Sequence, residues 1–572
     1  MNAKNQTNWL ITTICSLLLI QGCAQQTVKP LVTESESSNA GQGERLAIIV
    51  PGGGSYSRTI STDSDDTQRY FDQGLRFAWG FFFPEAIASY QQAALTDPTH
   101  PMPYWGMAHA MGPNPNSRYA RMPDDPKGEG LKAITKAKAL IDRATPLEAS
   151  LINALYVLYD KASIADDDAR DRAYLTAMRE LNREFPDDSD IAALYAASYM
   201  SIARWNYWDI EGKPLDETLP VALALEHIMA SDLSNPGVLH LHIHLIESSL
   251  APERALVSAD ALEATVPIAG HIVHMPSHIY VRVGQYDRAI DSNVRSQLKD
   301  KEFARYWGDL PLPNLGTYPL SHKIHSGHAL DFIRYAATIQ GNYEVAIDSA
   351  NRLKANSSGH QHSMRGYEKN MASPWHLNKI FGRWDLLLGQ TPSHADTPYL
   401  RGMWAYALGS AYANTGDIEG ATRQLETLRA IVDEPEVDKT RVTVTSVSGI
   451  LTLAGHGLEG EIHEAQGNLT EAIASYTAAV ALEDKGNYTE PPAWAQPMRH
   501  YLGAALLKAG QPDRAEKIYR RDLRWNAENG WSLYGLYQSL ADQGKSAESD
   551  EVLKRYEQAW QHSDTALTQS RK

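Results

Sequence analysis

The sequence predicts an all-α fold, a solenoid of stacked helix pairs, and three observations carry that prediction. The segments "PEAIASYQQAALTDP" at 84–98 and "TEAIASYTAAVALED" at 470–484 share the six residues "EAIASY". A small-residue mark recurs in "ERALV", "DRAID", "EVAID", "EGATR" and "DRAEK", centred on Ala255, Ala289, Ala346, Ala421 and Ala515. The marks follow a glycine-centred turn and an amphipathic helix, as in "LGSAYANTGDIEGA" and "LGAALLKAGQPDRA". A unit of two helices that cross at a small residue, repeated along 572 residues, stacks into an array rather than closing round one core.

The first segment, residues 1–22, has a signal's layout: a lysine-bearing start, then an apolar run from Trp9 to Ile20 too short to span a bilayer comfortably. Its end, "IQGC", resembles the bacterial lipobox, which implies an acylated Cys23; a plain signal with an incidental cysteine is the alternative. By the same resemblance, Ala24 in place of Asp implies anchoring to the outer membrane, facing the periplasm. Cys15, the only other cysteine, would leave with the signal, so the mature chain would have no disulfide and no thiolate ligand. Residues 23–64 are rich in Ser, Thr, Gly and Gln and read as a flexible tether, with one short strand expected at "LAIIV". The following "PGGGS" lacks the lysine and the helix of a phosphate loop and reads as a turn.

Helical repeats then divide into residues 65–235, a histidine-rich section at 236–350, and a C-terminal section at 351–572. Alanine-rich stretches allow close helix approach, with Pro and Gly mostly between helices. The stretch 113–190 shows the pattern least. Residues 304–326, "ARYWGDLPLPNLGTYPL" and its continuation, read as an ordered loop insertion because Pro, Gly and aromatics break the helical pattern. The step from Ala255 to Ala289 is 34 residues. With Gly74, Phe77, Ala86, Tyr90, Ala93 and Pro98 early, and Gly503, Gly510, Ala515 and Tyr519 late, the chain resembles the tetratricopeptide repeat family. The resemblance implies a right-handed α-solenoid whose first helices line a concave groove. "HMPSHIYVRVGQY", "EPPAW" and "NGWSLYGL" further resemble segments of a bacterial tetratricopeptide lipoprotein family of uncharacterised function, which implies a fold and no activity.

Nine of the 20 histidines lie between 240 and 328. With Ala255, Ala289 and Ala346 taken as equivalent, units begin at Pro236, Gly270 and Gly327. His240, His244 and Glu247 then share one face of a first helix, His271, His274 and His278 the next, and His328 with Asp331 the third. Neighbouring helices 8–10 Å apart can bring such side chains to a common point. Imidazole with carboxylate suits Zn²⁺, Cu²⁺ or Fe²⁺. Packed or surface histidines are the alternative, and His242, His322 and His325 fit the shared face poorly. Pro276 interrupts the second helix, so His271 and His274 are expected on a bend.

A formal charge of −16 and the lack of a Lys/Arg run argue against nucleic acid as partner. No zinc-peptidase helix and no Gly-x-Ser-x-Gly elbow occur, and "GEGLKA" follows no strand, so neither a nucleotide nor a haem is expected. The expected function is a lipid-anchored scaffold that binds a protein, peptide or small ligand in its groove and carries a transition-metal site. The alternatives are metal storage or delivery, and a metalloenzyme with Glu247 or Asp331 as base and Tyr280 and Arg282 near the substrate.

Overall fold

Bare backbone beneath tyrosine rings sets the spacing of the helices. In a computed structural model, Tyr90 on the helix Phe83–Thr96 lies between Gly74 on Asp65–Trp79 and Gly106 on Met102–Met111. A Cβ at Gly74 or Gly106 would stand 2.7 or 2.4 Å from the Tyr90 ring, so no larger residue fits either position without a shift. Near the far end Tyr519, on Pro512–Leu523, sits the same way between Gly503 and Gly535, with corresponding distances of 2.3 and 2.2 Å. The chain is thus an all-α helical-repeat protein, and its repeat is written in ring-on-glycine contacts as much as in periodicity.

The structure describes residues 45–122, 124–313, 326–357, 366–392, 395–442, 445–486 and 488–572. Among them the only strands are the short antiparallel pair Arg441–Val442 and Thr445–Ser446. No described helix is long and apolar enough to cross a membrane. The signal, Cys23, His322 and His325 lie outside the described residues. Arg45–Lys572 form one compact unit.

Three expectations need correction. From residue 45 onward the tether is packed rather than loose: Ala47, Val50 and Ile60 are buried, and Val50 N–H donates to Gln73 Oε1 at 2.8 Å. Arg58 fixes the segment to Asp188 at 2.9 Å and to Asp190 at 3.1 Å. The strand expected at "LAIIV" is absent, since the chain pairs there with side chains instead of another strand. The third correction concerns residues 304–307, which extend the helix Tyr286–Trp307 rather than open a loop. Phe303 and Trp307, four apart, are buried, and Phe303 packs at 5.4 Å against both Phe77 and Phe82, which outweighs the local loop signals. The poorly legible stretch folds as Asp124–Ala139, Pro146–Tyr159 and Asp167–Glu184, the second begun by a Thr145–Glu148 capping box.

The C-terminal helices pack against the middle of the chain. Tyr286 donates to Ala527 O at 2.8 Å, Tyr335 to Asn526 Oδ1 at 3.2 Å, and the Trp531 indole to Thr338 O at 3.1 Å. Asp564 accepts the Tyr343 and Glu344 amides at 2.8 and 2.9 Å. These contacts carry the segment that follows Leu469–Glu483 to the histidine-rich helices, where the Tyr488 hydroxyl lies 3.1 Å from Glu247 O.

Two predictions follow from this packing. Gly535→Ala should lower stability by about 1–3 kcal/mol in denaturant unfolding, because the Tyr519 ring is held on both flanks. Gly128→Ala, a helix position with open space where its Cβ would stand, should leave stability unchanged or slightly raised. The carboxyl of Glu483 is pushed up to about 8 by burial, against a lowering by Arg499. An acid raised in the folded state keeps its full stability below its unfolded pKa and loses it as pH rises to the folded value. Stability should therefore fall between pH ~4.5 and ~8 on this account, and Glu483→Gln should match the wild type at pH ~4 and exceed it by about 1–2 kcal/mol at pH ~8.5.

Candidate metal centre

The helix Pro236–Ile246 starts at Asn235, whose side chain caps the Gly237 and Val238 amides at 2.8 and 3.2 Å. Its spacing of four carries His240 and His244 on one face, and Glu247 follows at its C-terminal end. The next unit is broken at Pro276 into Gly270–His274 and Pro276–Arg282, the bend expected from proline, and supplies His271, His274 and His278. His328 comes from Ser326–Ile339. The tetratricopeptide resemblance implies that these groups line a groove, but five of the six imidazoles are 0–5 % exposed and only His328 reaches the surface.

The imidazoles form two triads. In one, ligand nitrogens of His240, His244 and His271 lie within 4.8 Å of one another; in the other, those of His274, His278 and His328 do. The triads adjoin, with ring centroids 5.6 Å apart for His244 and His278 and 5.8 Å for His271 and His274. His244, Glu247 and His278 make a third such group, which links them.

The outer nitrogens are held by acceptors. His240 Nδ1–H donates to Trp79 O at 2.6 Å, and His274 Nδ1–H to Asn293 Oδ1 at 2.6 Å. The Asn293 amide is oriented by its own donation to Ala289 O at 2.8 Å. His278 Nδ1–H donates to Glu247 Oε2 at 2.6 Å and lies 2.9 Å from Glu490 Oε2. Each of these bonds turns an Nε2 inward: His274 Nε2 and His278 Nε2 are 2.9 Å apart, and His240 Nε2 and His271 Nε2 are 3.2 Å apart. At metal–nitrogen bonds of about 2.1 Å, ligands stand about 3.4 Å apart on a tetrahedron and about 3.0 Å apart at right angles. His244 Nε2 is buried with no hydrogen-bond partner among the described residues.

Glu247 is the hub. Its Oε1 accepts the Trp205 indole N–H at 2.8 Å and faces His244 Nδ1 at 3.4 Å, while Oε2 holds His278. Burial works against its ionisation, but His278 and His244 hold its carboxyl far below the ordinary range. Burial likewise opposes charge on His278, yet the Glu247 and Glu490 carboxylates raise it to about 10. A charged His278 has hydrogen on both ring nitrogens, and its Nε2–H can donate to His274 Nε2 across the 2.9 Å. Burial, followed by the Glu247 charge, pushes Glu490 up.

Aromatic rings close the centre. Phe81 stacks on His271 at 5.5 Å and on His244 at 6.0 Å, and Phe332 packs on His274 at 4.8 Å and on His278 at 4.6 Å. Phe81, Arg204 and Trp205 adopt φ of 59°, 47° and 63°, left-handed conformations that cost side-chain-bearing residues energy.

Asp331 belongs to none of the three groups. Its carboxylate binds Arg334 at 2.7 Å and Lys369 at 2.7 Å, and these cations hold it well below its ordinary value despite burial. As both oxygens are engaged there, Asp331 is removed from the set of bases. Tyr280 donates to Asp260 at 3.0 Å and lies under Arg288, whereas Arg282 donates to the Glu247 and Ser249 carbonyls at 2.8 and 2.7 Å. His242, which fits the shared face poorly, binds Ser258 at 2.8 Å instead. Sequence reasoning missed Glu490, Tyr488, Trp205, Asn293 and Phe81. "EPPAW" marks Glu490 as part of a motif, but nothing in the sequence couples it to His278.

A cavity of about 1020 Å³ opens beside the centre. Glu490, Phe332 and Trp205, which touch His278, His274 or Glu247, form part of its wall.

No family model matches the chain, and no curated protein does. Similar solved structures include an IFIT1 monomeric mutant with Gppp-AAAA, at 12 % identity and a TM-score of 0.34 over 87 % of this chain and 96 % of that one. A human IFIT1 dimer with m7Gppp-AAAA aligns at 11 % identity and 0.33, over 77 % of this chain and 87 % of that one. Naa15/Naa10 bound to HypK-THB aligns at 13 % and 0.20, over 86 % and 71 %.

Removing the hub has a definite expected cost. Glu247→Ala should destabilise the metal-free chain by about 3–5 kcal/mol in denaturant unfolding, because it strands a buried imidazolium and the Trp205 indole. Glu247→Gln, which keeps an acceptor oxygen for one of them, should cost less.

Proposed function

We propose that the chain is a lipid-anchored helical-repeat metalloprotein. In this reading it holds two adjacent transition-metal ions in its histidine triads and acts on a small molecule that enters through the neighbouring cavity. The observation that carries the reading is the fixing of the outer nitrogens. With Trp79 O, Asn293 Oδ1 and Glu247 each accepting an Nδ1–H, the lone pairs of His240, His274 and His278 converge at Nε2. Such outer bonds set ring tautomer and orientation at metal centres. A packed core has no such need, and buried imidazoles crowded at 2.9 and 3.2 Å cost it desolvation and repulsion.

Three imidazoles per ion, without thiolate, suit Zn²⁺, Cu²⁺ or Fe²⁺ and leave coordination positions open. An ion so held supplies Lewis acidity, an activated water or, for copper and iron, electron transfer. The cavity beside the second triad favours chemistry on a small molecule over a scaffold that only docks a protein or peptide. Anchoring through Cys23 to the outer membrane, facing the periplasm, rests on "IQGC" and Ala24.

Metal analysis of the chain purified without a histidine tag tests this. Two ions per chain are expected, with His240→Ala/His271→Ala and His274→Ala/His278→Ala each retaining about one while circular dichroism shows both folded. A wild-type chain that stays metal-free after reconstitution with zinc, copper and iron would overturn the reading, as would both double variants retaining two ions.

A further inference from the structure

The wall of the 1020 Å³ cavity differs from the rest of the molecule in two respects. The chain has 53 Lys and Arg against 69 Asp and Glu, but the wall reverses the balance with seven cations against five carboxylates. Asp484 and Arg499 pair at 2.6 Å and cancel each other, Arg118 pairs with Asp168 and Asp171 outside the wall, and Asp522 stays ionised, held by Asn529 at 3.1 Å and Ser532 at 2.7 Å. Burial raises Glu483. Arg121, Arg282 and Lys485 have no carboxylate within 4.0 Å among the described residues.

Arg282 is the most telling of the three. It is 6 % exposed, and its guanidinium donates to the carbonyls of Glu247, Ser249 and Trp525 while lying over the Trp525 ring at 4.8 Å. Three carbonyl bonds occupy three of its five N–H groups and leave the charge without a counter-ion. A buried cation held open in this way, beside a cavity and joined to the hub of the metal centre, attracts an anion.

The second respect is aromatic. Trp205, Trp208, Phe332, Tyr335, Trp494 and Trp525 all line the cavity, and four of these are among the chain's 13 tryptophans. The Trp205 ring is presented by two consecutive left-handed residues, so the local fold bears strain to place it there. Flat aromatic walls stack on flat ligands, and a cavity of this size is that of a small-molecule site.

From the excess charge and the ring-lined wall together, we infer that the cavity takes a small organic anion that carries an aromatic ring. The ring stacks against the tryptophan wall, and the acid group is drawn toward Arg282, Arg121 and Lys485. This inference rests on the metalloprotein reading only for the ligand's role as substrate; the binding stands on the cavity itself.

The probe is 2-naphthoate, titrated calorimetrically into the full chain in detergent, in metal-loaded and metal-free forms, with metal content measured on the same samples. One molecule per chain is expected, at least tenfold tighter than the uncharged 2-naphthamide, and Arg121→Glu/Lys485→Glu should weaken it at least tenfold. Both residues are exposed, so the variant keeps its fold, which its circular dichroism checks. In the cobalt-substituted chain, 2-naphthoate should shift the visible d–d bands, because the cavity wall touches His274 and His278. Equal affinity for the amide, or an unaltered affinity in the charge-reversed variant, would overturn the inference. Tighter binding of an acidic peptide lacking aromatic residues would overturn it too, in favour of a protein partner. Naphthoate binding to a chain that takes up no metal would uphold the cavity and defeat the metal reading, whereas metal without naphthoate would do the reverse.

Discussion

The arrangement of the centre depends on one buried carboxylate. Glu247 binds Trp205 and His244 through one oxygen and His278 through the other, while its backbone carbonyl receives Arg282 and faces Tyr488. Five groups from four separated parts of the chain thus meet on one residue at the end of one helix. A carboxylate has the lone pairs for this, and in a buried site its charge is balanced by the imidazolium beside it. Side chains from repeats that would otherwise touch only their neighbours become parts of one network.

That network explains why the C-terminal repeats matter to a centre built in the middle. A solenoid unit normally contacts the units before and after it, so residues near 490 have no local reason to approach residues near 278. Contacts from Tyr286, Tyr335, Thr338 and Tyr343 to the C-terminal helices bring them together. Once they meet, Glu490 adds a second carboxylate at His278 and Tyr488 closes over Glu247. The cavity is a consequence of the same meeting, since its wall draws on both stretches of chain.

The repeat was legible because its signals are local: a glycine on one helix, a tyrosine on the next and an alanine at the crossing recur at fixed offsets. The three histidine pairs at spacings of three or four, and the break at Pro276, were legible for the same reason. Burial was not, because an imidazole facing a groove and one facing a neighbouring helix show the same spacing. Asp331 was misread since its place on the helix says nothing of Arg334 and Lys369, the second of which lies beyond the intervening helix. Glu490 and Asn293 were invisible as partners, one lying 212 residues beyond its histidine and the other placed by a helix crossing. The packed segment 45–64 misled through its composition, as a Ser- and Gly-rich stretch can dock when a few apolar residues and one arginine find partners.

Stability alone would not select this core. Leucine at the five buried histidine positions would bury apolar surface without desolvating nitrogens, and Phe81, Arg204 and Trp205 beside them hold left-handed backbone. Two costs therefore coincide in one place: polar groups crowded out of water and strain in the residues that cover them. Costs of these kinds persist where the surrounding fold outweighs them and where function depends on them. Where both rings keep their hydrogens at Nδ1, the two Nε2 lone pairs of His274 and His278 face each other across 2.9 Å and need a proton or a metal ion between them. A proton meets that requirement for one pair, and a metal ion meets it for a whole triad.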